Sequence, residues 1–435
     1  MLAPKIRPSL PTYTLKMYIT EFPQSASSSR GWFARIVLLC GVSLLFVFLF
    51  IVFRGIHNIF FHPLHKYPGP WLWIAFPTFR HIASVRGYLD GDLRRLHDKY
   101  GTVVRFSATE LSFITAQAWR DIYGHGHQEL PRSLGNGVPD ILGGNVAVHA
   151  RHRKALSHGF SEKALAKQEP LIIYYVNLLL EKLRDVAASG QKTDIVQWYT
   201  LTAFDMIGDL SFGASFEGLK NNQVHGWIKM IFQGIKMNVL IQIAQKYPMI
   251  TKSVMKYMLV ADLVQAQQAF VRETAMRKIN NPGMAGRGDF MEAMQRHKGG
   301  PDGLSMDETV SNLTILIAAG SETTSSLLSG TTHLLLKNPH CMRRVTDEVR
   351  GAFEKEDDIN FVNASSRLPY MLACLDEALR LYPPIPTGMQ RIVPPGASVE
   401  ISGHDIPPMV SRSSSEVACT LKQSSHALAY LTSIR

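Results

Sequence analysis

Residues 305–338 read SMDETVSNLTILIAAGSETTSSLLSGTTHLLLKN, and they decide the fold. Ser305 and Glu308 have capping-box spacing, in which a serine hydroxyl and a glutamate three residues on satisfy each other's orphan amides. The pattern predicts a helix from Met306 to about Leu336, before Asn338-Pro339 ends it and starts another. About thirty residues at about 1.5 Å each make a rod of roughly 45 Å, long enough to cross a whole domain. Its middle, Ala318-Ala319-Gly320-Ser321-Glu322-Thr323-Thr324-Ser325, is poor helix-making sequence. Glycine costs about 1 kcal/mol relative to alanine, and threonine bonds back to the preceding turn. A local widening there would open room for a small ligand against the backbone, beside an acid and two hydroxyls. The competing reading is close packing of small residues against another helix, with a solvated Glu322.

Toward the C-terminus, Glu377-Ala378-Leu379-Arg380 sets an acid and a base three residues apart on a second helix. Such a pair is normally an exposed ion pair. Leu372, Leu375, Leu379 and Leu381 flank this one and predict partial burial, which calls for further polar partners. Toward the N-terminus, Leu171–Leu183 places Ile172, Val176, Leu179, Leu180 and Leu183 on one stripe, with Pro170 suited to a first turn. Strand-like runs occur at Thr102–Phe106, Ser112–Thr115, Gln390–Val393 and Ser398–Ile401. Many helices with a small sheet built from distant segments predict a mainly α (α+β) fold in one large domain.

Residues 36–53, IVLLCGVSLLFVFLFIVF, are uncharged and span roughly 27 Å as a helix, just enough for a bilayer. A buried core helix would show a polar face, and a signal peptide would start earlier and carry a small-residue cleavage site. A retained anchor is expected. Its flanks, Arg30 and Arg35 against Arg54 and Lys66, leave orientation unread. Tyr67-Pro68-Gly69-Pro70 then forms a stiff turn suited to aiming a soluble body away from the membrane. The net charge of +11 comes from scattered residues, without a basic run or aromatic-interleaved stripe, which argues against nucleic acid. Four cysteines, Cys40, Cys341, Cys374 and Cys419, form neither a zinc spacing nor a disulfide framework, so a reducing compartment is expected.

Ala319-Gly320-Ser321-Glu322-Thr323-Thr324 and Glu377-x-x-Arg380, in this order and separation, resemble the oxygen-binding helix and the structural Glu-x-x-Arg of the cytochrome P-450 superfamily. Pro68-Gly69-Pro70 after an anchor resembles the microsomal hinge. His149-Ala-Arg-His-Arg153 resembles the helix whose basic residues meet the haem propionates. The style of residues 149–170 is most similar to fungal secondary-metabolism members. The resemblance implies a P-450-like helical domain with a small sheet, preceded by one transmembrane helix. It implies haem b, and electrons from NADPH through a reductase or a cytochrome b5-like donor. A lipophilic substrate would be hydroxylated with O2, and the protein would lie in the endoplasmic reticulum membrane, single-pass, with its body cytoplasmic. Ala319 and Gly320 would form the oxygen groove, with Thr323 steering protons and Glu322 feeding them. His149, Arg153 and Arg391 would contact the propionates, and Glu377–Arg380 would be the structural ion pair. Nine of the 17 methionines fall between Met230 and Met294, where an adaptable pocket roof or ordinary core filling would both suit them.

The organisation expected is an N-terminal segment (1–35), an anchor (36–53), a basic linker and hinge (54–70), a partial catalytic domain (71–408) and an aberrant, disordered tail (409–435). The family holds its iron by a cysteine in Phe-x-x-Gly-x-Arg-x-Cys-x-Gly. Around Cys419, those four flanking places hold Arg412, Ser415, Val417 and Leu421. Only 55 residues follow Arg380 (435 − 380), where the resemblance implies roughly seventy before the ligand. Cys419 does not fit, and no axial cysteine is expected. Two readings follow: a haem monooxygenase by descent, impaired in this chain, or a haem-free, membrane-tethered remnant.

Overall fold

The computed structural model describes residues 26–124, 138–144, 146–224, 226–227, 230, 240, 243, 260–281, 286–296, 299–300, 303–385, 391–393, 398–407 and 418–421. The chain divides into two units, Met1–His57 and Asn58–Arg435. Helix α1 (Ala26–Phe60) contains a 29-residue span, Trp32–Phe60, whose apolar centre has no buried residue. That is long and apolar enough to cross a bilayer, and the helix runs past Arg54, where the apolar run in the sequence ends.

The second unit opens with α2 (Trp71–Ala75), α3 (Thr78–Val85) and α4 (Leu89–Tyr100). A hairpin follows, β1 (Val103–Ser107) and β2 (Glu110–Phe113), then α5 (Ala116–Tyr123). Helices α6 (Val146–Ser157), α7 (Glu162–Ser189), α8 (Ile195–Phe212) and α9 (Gly218–Asn221) lead to α10 (Val260–Ile279) and α11 (Phe290–Gln295). The long helix is α12 (Met306–Lys337), followed by α13 (Pro339–Ala352), α14 (Phe361–Arg367) and α15 (Pro369–Leu381). Short strands β3 (Arg391–Ile392), β4 (Val399–Ile401), β5 (His404–Ile406) and β6 (Ala418–Leu421) complete the described chain. The sheets run β1-β2-β6-β3 and β4-β5. This is the mainly helical architecture with a small sheet that the patterning predicts.

Helix α12 packs along α8 more extensively than any other pair among the described residues. Phe204 and Phe212 from α8, Val310, Leu313 and Ile317 from α12, and Met291 and Met294 from α11 form one buried cluster. Those two methionines are therefore core fillers. Most of the methionine-rich stretch 230–258 lies outside the described residues. A second cluster joins the sheets to the chain before them, through Leu64, Tyr67, Leu111, Phe113, Ile401 and Ile406.

Three expectations are corrected here. Residues 58–70 belong to the body: Leu64 and Tyr67 are buried, and Arg105 donates its amide to the Pro68 carbonyl at 2.8 Å. A Cβ on Gly69 would stand 1.8 Å from the Arg105 carbonyl oxygen, so the stiff turn is bonded edge-on to β1 and only glycine fits. On α7 the buried stripe is Gln168, Tyr175 and Leu179, while Val176 is exposed. The helix starts at Glu162 with Ser161 as its cap, so Pro170 sits in its interior, and the inward face keeps Leu179 and Leu183 but takes Tyr175 in place of Val176. The tail is not wholly without structure, since Ala418–Leu421 pair in parallel with β2 and antiparallel with β3. The open edge of β2 offers unpaired amides and carbonyls that a short extended segment satisfies. The rest of 409–435 lies outside the described residues.

Candidate functional site

The capping box at the start of α12 forms as the sequence predicts: Ser305 Oγ accepts from the Glu308 amide, and Glu308 Oε2 accepts from the Ser305 amide at 2.8 Å. The widening expected at 318–325 does not occur, and α12 remains α-helical from Met306 to Lys337. Its hydroxyls bond backward instead, Ser321 Oγ to the Ile317 carbonyl and Thr323 Oγ1 to the Ala319 carbonyl, each at 2.6 Å. Those bonds add to the main-chain ladder without displacing it. Gly320 is where α8 comes close, because a Cβ there would lie 2.9 Å from Ile207 Cδ1. Small-residue packing thus explains the glycine. The acid behaves differently from a solvated one: Glu322 is half-buried, and burial raises its carboxyl above the ordinary range. Ala319 is exposed, and Thr323 lies one helical turn from it on the same face.

The basic helix α6 turns inward a face other than the one that carries His149 and Arg153. His149 is half-buried and Arg153 is exposed, whereas His152 is completely buried. Asn312 Nδ2 donates to His152 Nδ1 at 3.1 Å, which assigns the remaining ring proton to Nε2, 3.3 Å from Glu308 Oε1. Arg151 donates to both oxygens of Glu308 and, at 2.7 Å, to the Gly303 carbonyl. Asn312 Oδ1 accepts from the Ile141 amide at 2.9 Å, and Ser311 Oγ donates to Asp140 Oδ2 at 3.4 Å. One cluster therefore pins residues 140–143 and α6 to the first two turns of α12. Burial alone would raise the Glu308 carboxyl. The hydrogen bonds from Arg151, Ser305 and His152 outweigh it and hold the group at about 2. Burial lowers the His152 imidazole and keeps it neutral. Nothing local in the sequence announces this cluster, whose partners lie 156 residues apart.

Farther along, Arg380 donates to both carboxylate oxygens of Glu377 at 2.6 Å, and each side chain is 26 % exposed. Among the described residues, no third group joins this ion pair. Arg391 lies on β3 with its guanidinium 5.1 Å from the centroid of the Tyr123 ring.

These features sit within a span, residues 67–409, that matches the sequence profile of the family described as Cytochrome P-450. The chain belongs to the cytochrome P-450 family. It is 47 % identical over 363 residues to a trichothecene C-4 hydroxylase of Trichoderma arundinaceum, covering 82 % of this chain and 72 % of that protein. It is 44 % identical over 376 residues to the cytochrome P-450 monooxygenase olcB of Penicillium canescens, covering 86 % and 76 %. Versicolorin B desaturase of Emericella nidulans is 36 % identical over 375 residues, covering 82 % and 74 %. The relatives are fungal P-450 monooxygenases, and this chain is an enzyme of that type.

P-450 haem takes a cysteine thiolate as its axial ligand, with amide donors that tune the sulfur. Cys40 lies in the apolar stretch of α1. Cys341 and Cys374 lie on the packed helices α13 and α15. Cys419 lies in β6, whose backbone pairs with β2 on one edge and β3 on the other, so its amides are committed to the sheet. None of the four stands on a loop able to present a sulfur with free amides around it. The cysteines present do not fit the family's iron ligand.

Proposed function

We propose that this chain descends from membrane-anchored, haem-dependent monooxygenases that oxidise lipophilic secondary metabolites, and that it lacks their axial sulfur. The family match running through α12 and α15, with Ala319, Gly320, Glu322, Thr323, Glu377 and Arg380 inside it, carries the descent. Relatives named as a trichothecene hydroxylase and a versicolorin B desaturase favour an organic secondary metabolite as the ancestral substrate. Glu322, its carboxyl raised by burial, and Thr323, one residue on, form the proton-handling pair of this reading. His149, Arg153 and Arg391 supply hydrogen-bond donors for carboxylates. Glu377–Arg380 is a structural pair. Helix α1 makes a single pass through the endoplasmic reticulum membrane, and the body faces the cytoplasm and a reductase or cytochrome b5-like donor.

The committed amides around Cys419 favour a second reading beside this one, a haem-free, membrane-tethered protein without catalysis. The reduced carbon monoxide difference spectrum of the expressed 435-residue chain separates the two readings. Little bound haem and no thiolate-type band are expected. Replacing residues 409–435 with the C-terminal segment of the trichothecene hydroxylase relative should restore both, and failure to do so counts against the descent. A strong thiolate band from the unmodified chain, abolished by Cys419→Ala, overturns the reading of its sulfurs.

A further inference from the structure

Helices α13 and α15 pack together, and their alignment follows from one carboxylate. Glu348 on α13 caps the start of α15, accepting from the Tyr370 and Met371 amides at 2.8 Å each. Arg344, one turn earlier on α13, lies 4.0 Å from the centroid of the Tyr370 ring. Cys341 continues that stripe another three residues back, roughly 10 Å from Glu348 along the helix axis. Cys374 lies one turn beyond Tyr370, roughly 6 Å along the other axis. This register sets Cys341 and Cys374 toward one another across the packed pair, on the side where Arg344 meets Tyr370. Cys341 Sγ is also 3.2 Å from Nε2 of the exposed His340. With that nitrogen unprotonated, the thiol donates to it. Both cysteines are free and only partly buried, and the function proposed above uses neither.

We propose that Cys341 and Cys374 form a peroxide-responsive dithiol, in which His340 takes the Cys341 proton and hydrogen peroxide oxidises the thiolate before Cys374 closes a disulfide. The Cys341 thiolate attacks one peroxide oxygen, the O–O bond breaks, and the departing hydroxide leaves as water with the proton from His340. The Cys374 thiol then attacks the sulfur of the Cys341 sulfenic acid. An S–S bond forms, the S–O bond breaks, and the hydroxyl leaves as water with the Cys374 proton. Two thiols and one peroxide give one disulfide and two waters. Burial and the neighbouring Cys341 push the Cys374 thiol up, which suits a resolving thiol that stays protonated until its turn. The product joins α13 covalently to the helix that carries Glu377 and Arg380.

The test uses the full chain in detergent with Cys40→Ser and Cys419→Ser, leaving only the two thiols in question. After treatment with hydrogen peroxide and then N-ethylmaleimide, the intact mass should fall by two hydrogens with no alkylation. Digestion should yield one peptide pair linked through Cys341 and Cys374, and dithiothreitol should return both to alkylation. Adding Cys374→Ser should make Cys341 accumulate as a dimedone-reactive sulfenic acid, and His340→Ala should slow the first step by about tenfold through loss of the local base. Alkylation of both thiols after peroxide, sulfinic acid on Cys341 with Cys374 untouched, or an unchanged rate in His340→Ala would each overturn the proposal.

Discussion

Two acid–arginine pairs in the helical body make opposite use of the same chemistry. Glu308 at the start of α12 takes Arg151 and His152 from α6 and the Ser305 amide from its own cap, and its side chain is 12 % exposed. Glu377 and Arg380 sit three residues apart on α15, bonded bidentately to one another and 26 % exposed each. Around the second pair, Leu379 and Leu381 are 36 % and 52 % exposed, so its burial is only partial. The first cluster joins three separate segments, and the second joins one helix to itself. A buried ion with several partners is costly to disrupt, because removing one leaves the others desolvated and unpaired. A partly exposed pair within one helix returns its groups to water when broken.

The largest effect should come from Glu308→Ala, which strips the buried His152 of its acceptor and leaves Arg151, among the described residues, only the Gly303 carbonyl. A loss of about 3–5 kcal/mol is expected. Denaturant unfolding of the detergent-solubilised protein would read it, and Glu308→Gln, which keeps one acceptor oxygen, should lose less. Acid titration sharpens the same point. Glu308 is held at about 2 against an ordinary 4.5, so its stabilisation is complete above pH 4.5 and is lost as pH falls toward 2. His152, lowered by burial from 6.5, adds a second loss that begins as pH falls below 6.5, where the unfolded chain gains a proton that the folded one refuses. The variant should lose the lower limb of this profile. A loss under about 1 kcal/mol, no greater than an exposed pair gives, would erase the contrast between the clusters.

The contrast also marks what the sequence discloses. Ser305, Glu308 and the apolar spacing after them announce the long helix to within a residue, because caps and periodicity are local. Glu377 and Arg380 are visible for the same reason. The Glu308–His152–Asn312 cluster is not, since its members meet only after α6 and α12 have packed. On α6 the family resemblance points to His149 and Arg153, one helical face, while the fold buries His152, Ala155 and Leu156, another. Basic residues on nearly every face of that helix gave periodicity nothing to separate. Tyr175 displaces Val176 on α7 by a similar slip, since a helix phase read from aliphatic residues alone passes over an amphipathic tyrosine. Gly320 carried two readings, and the nearness of Ile207, a contact between distant segments, decides for packing.

A smaller effect is expected from Gly320→Ala. The new methyl would lie 2.9 Å from Ile207 Cδ1 and 3.1 Å from Cγ1, the flexible end of one side chain. Overpacking of this kind costs about 1–3 kcal/mol, offset in part by the better helix propensity of alanine. Ile207→Val in the same chain should recover most of the loss, because it removes the nearest atom. If Gly320→Ala is neutral or stabilising without that second change, α8 yields easily, and the glycine has some role other than close approach.

The smallest effect should come from Glu377→Gln. The pair has good bidentate geometry, which favours it over an ordinary surface contact. Against this, both side chains are partly in water, no third partner joins the ion pair among the described residues, and the two groups already share a helix, so little ordering is lost with them. Such pairs contribute about 0–1 kcal/mol, and the amide keeps one oxygen for the guanidinium. The thermal midpoint should therefore move far less than in Glu308→Ala, and raising the salt concentration should shrink the difference further by screening the partly exposed charges. The outcome that breaks the comparison is a large, salt-insensitive loss in Glu377→Gln. It would mean that further polar groups or chain segments close over α15 in solution, and that this pair is the hub of a second network rather than a local clasp.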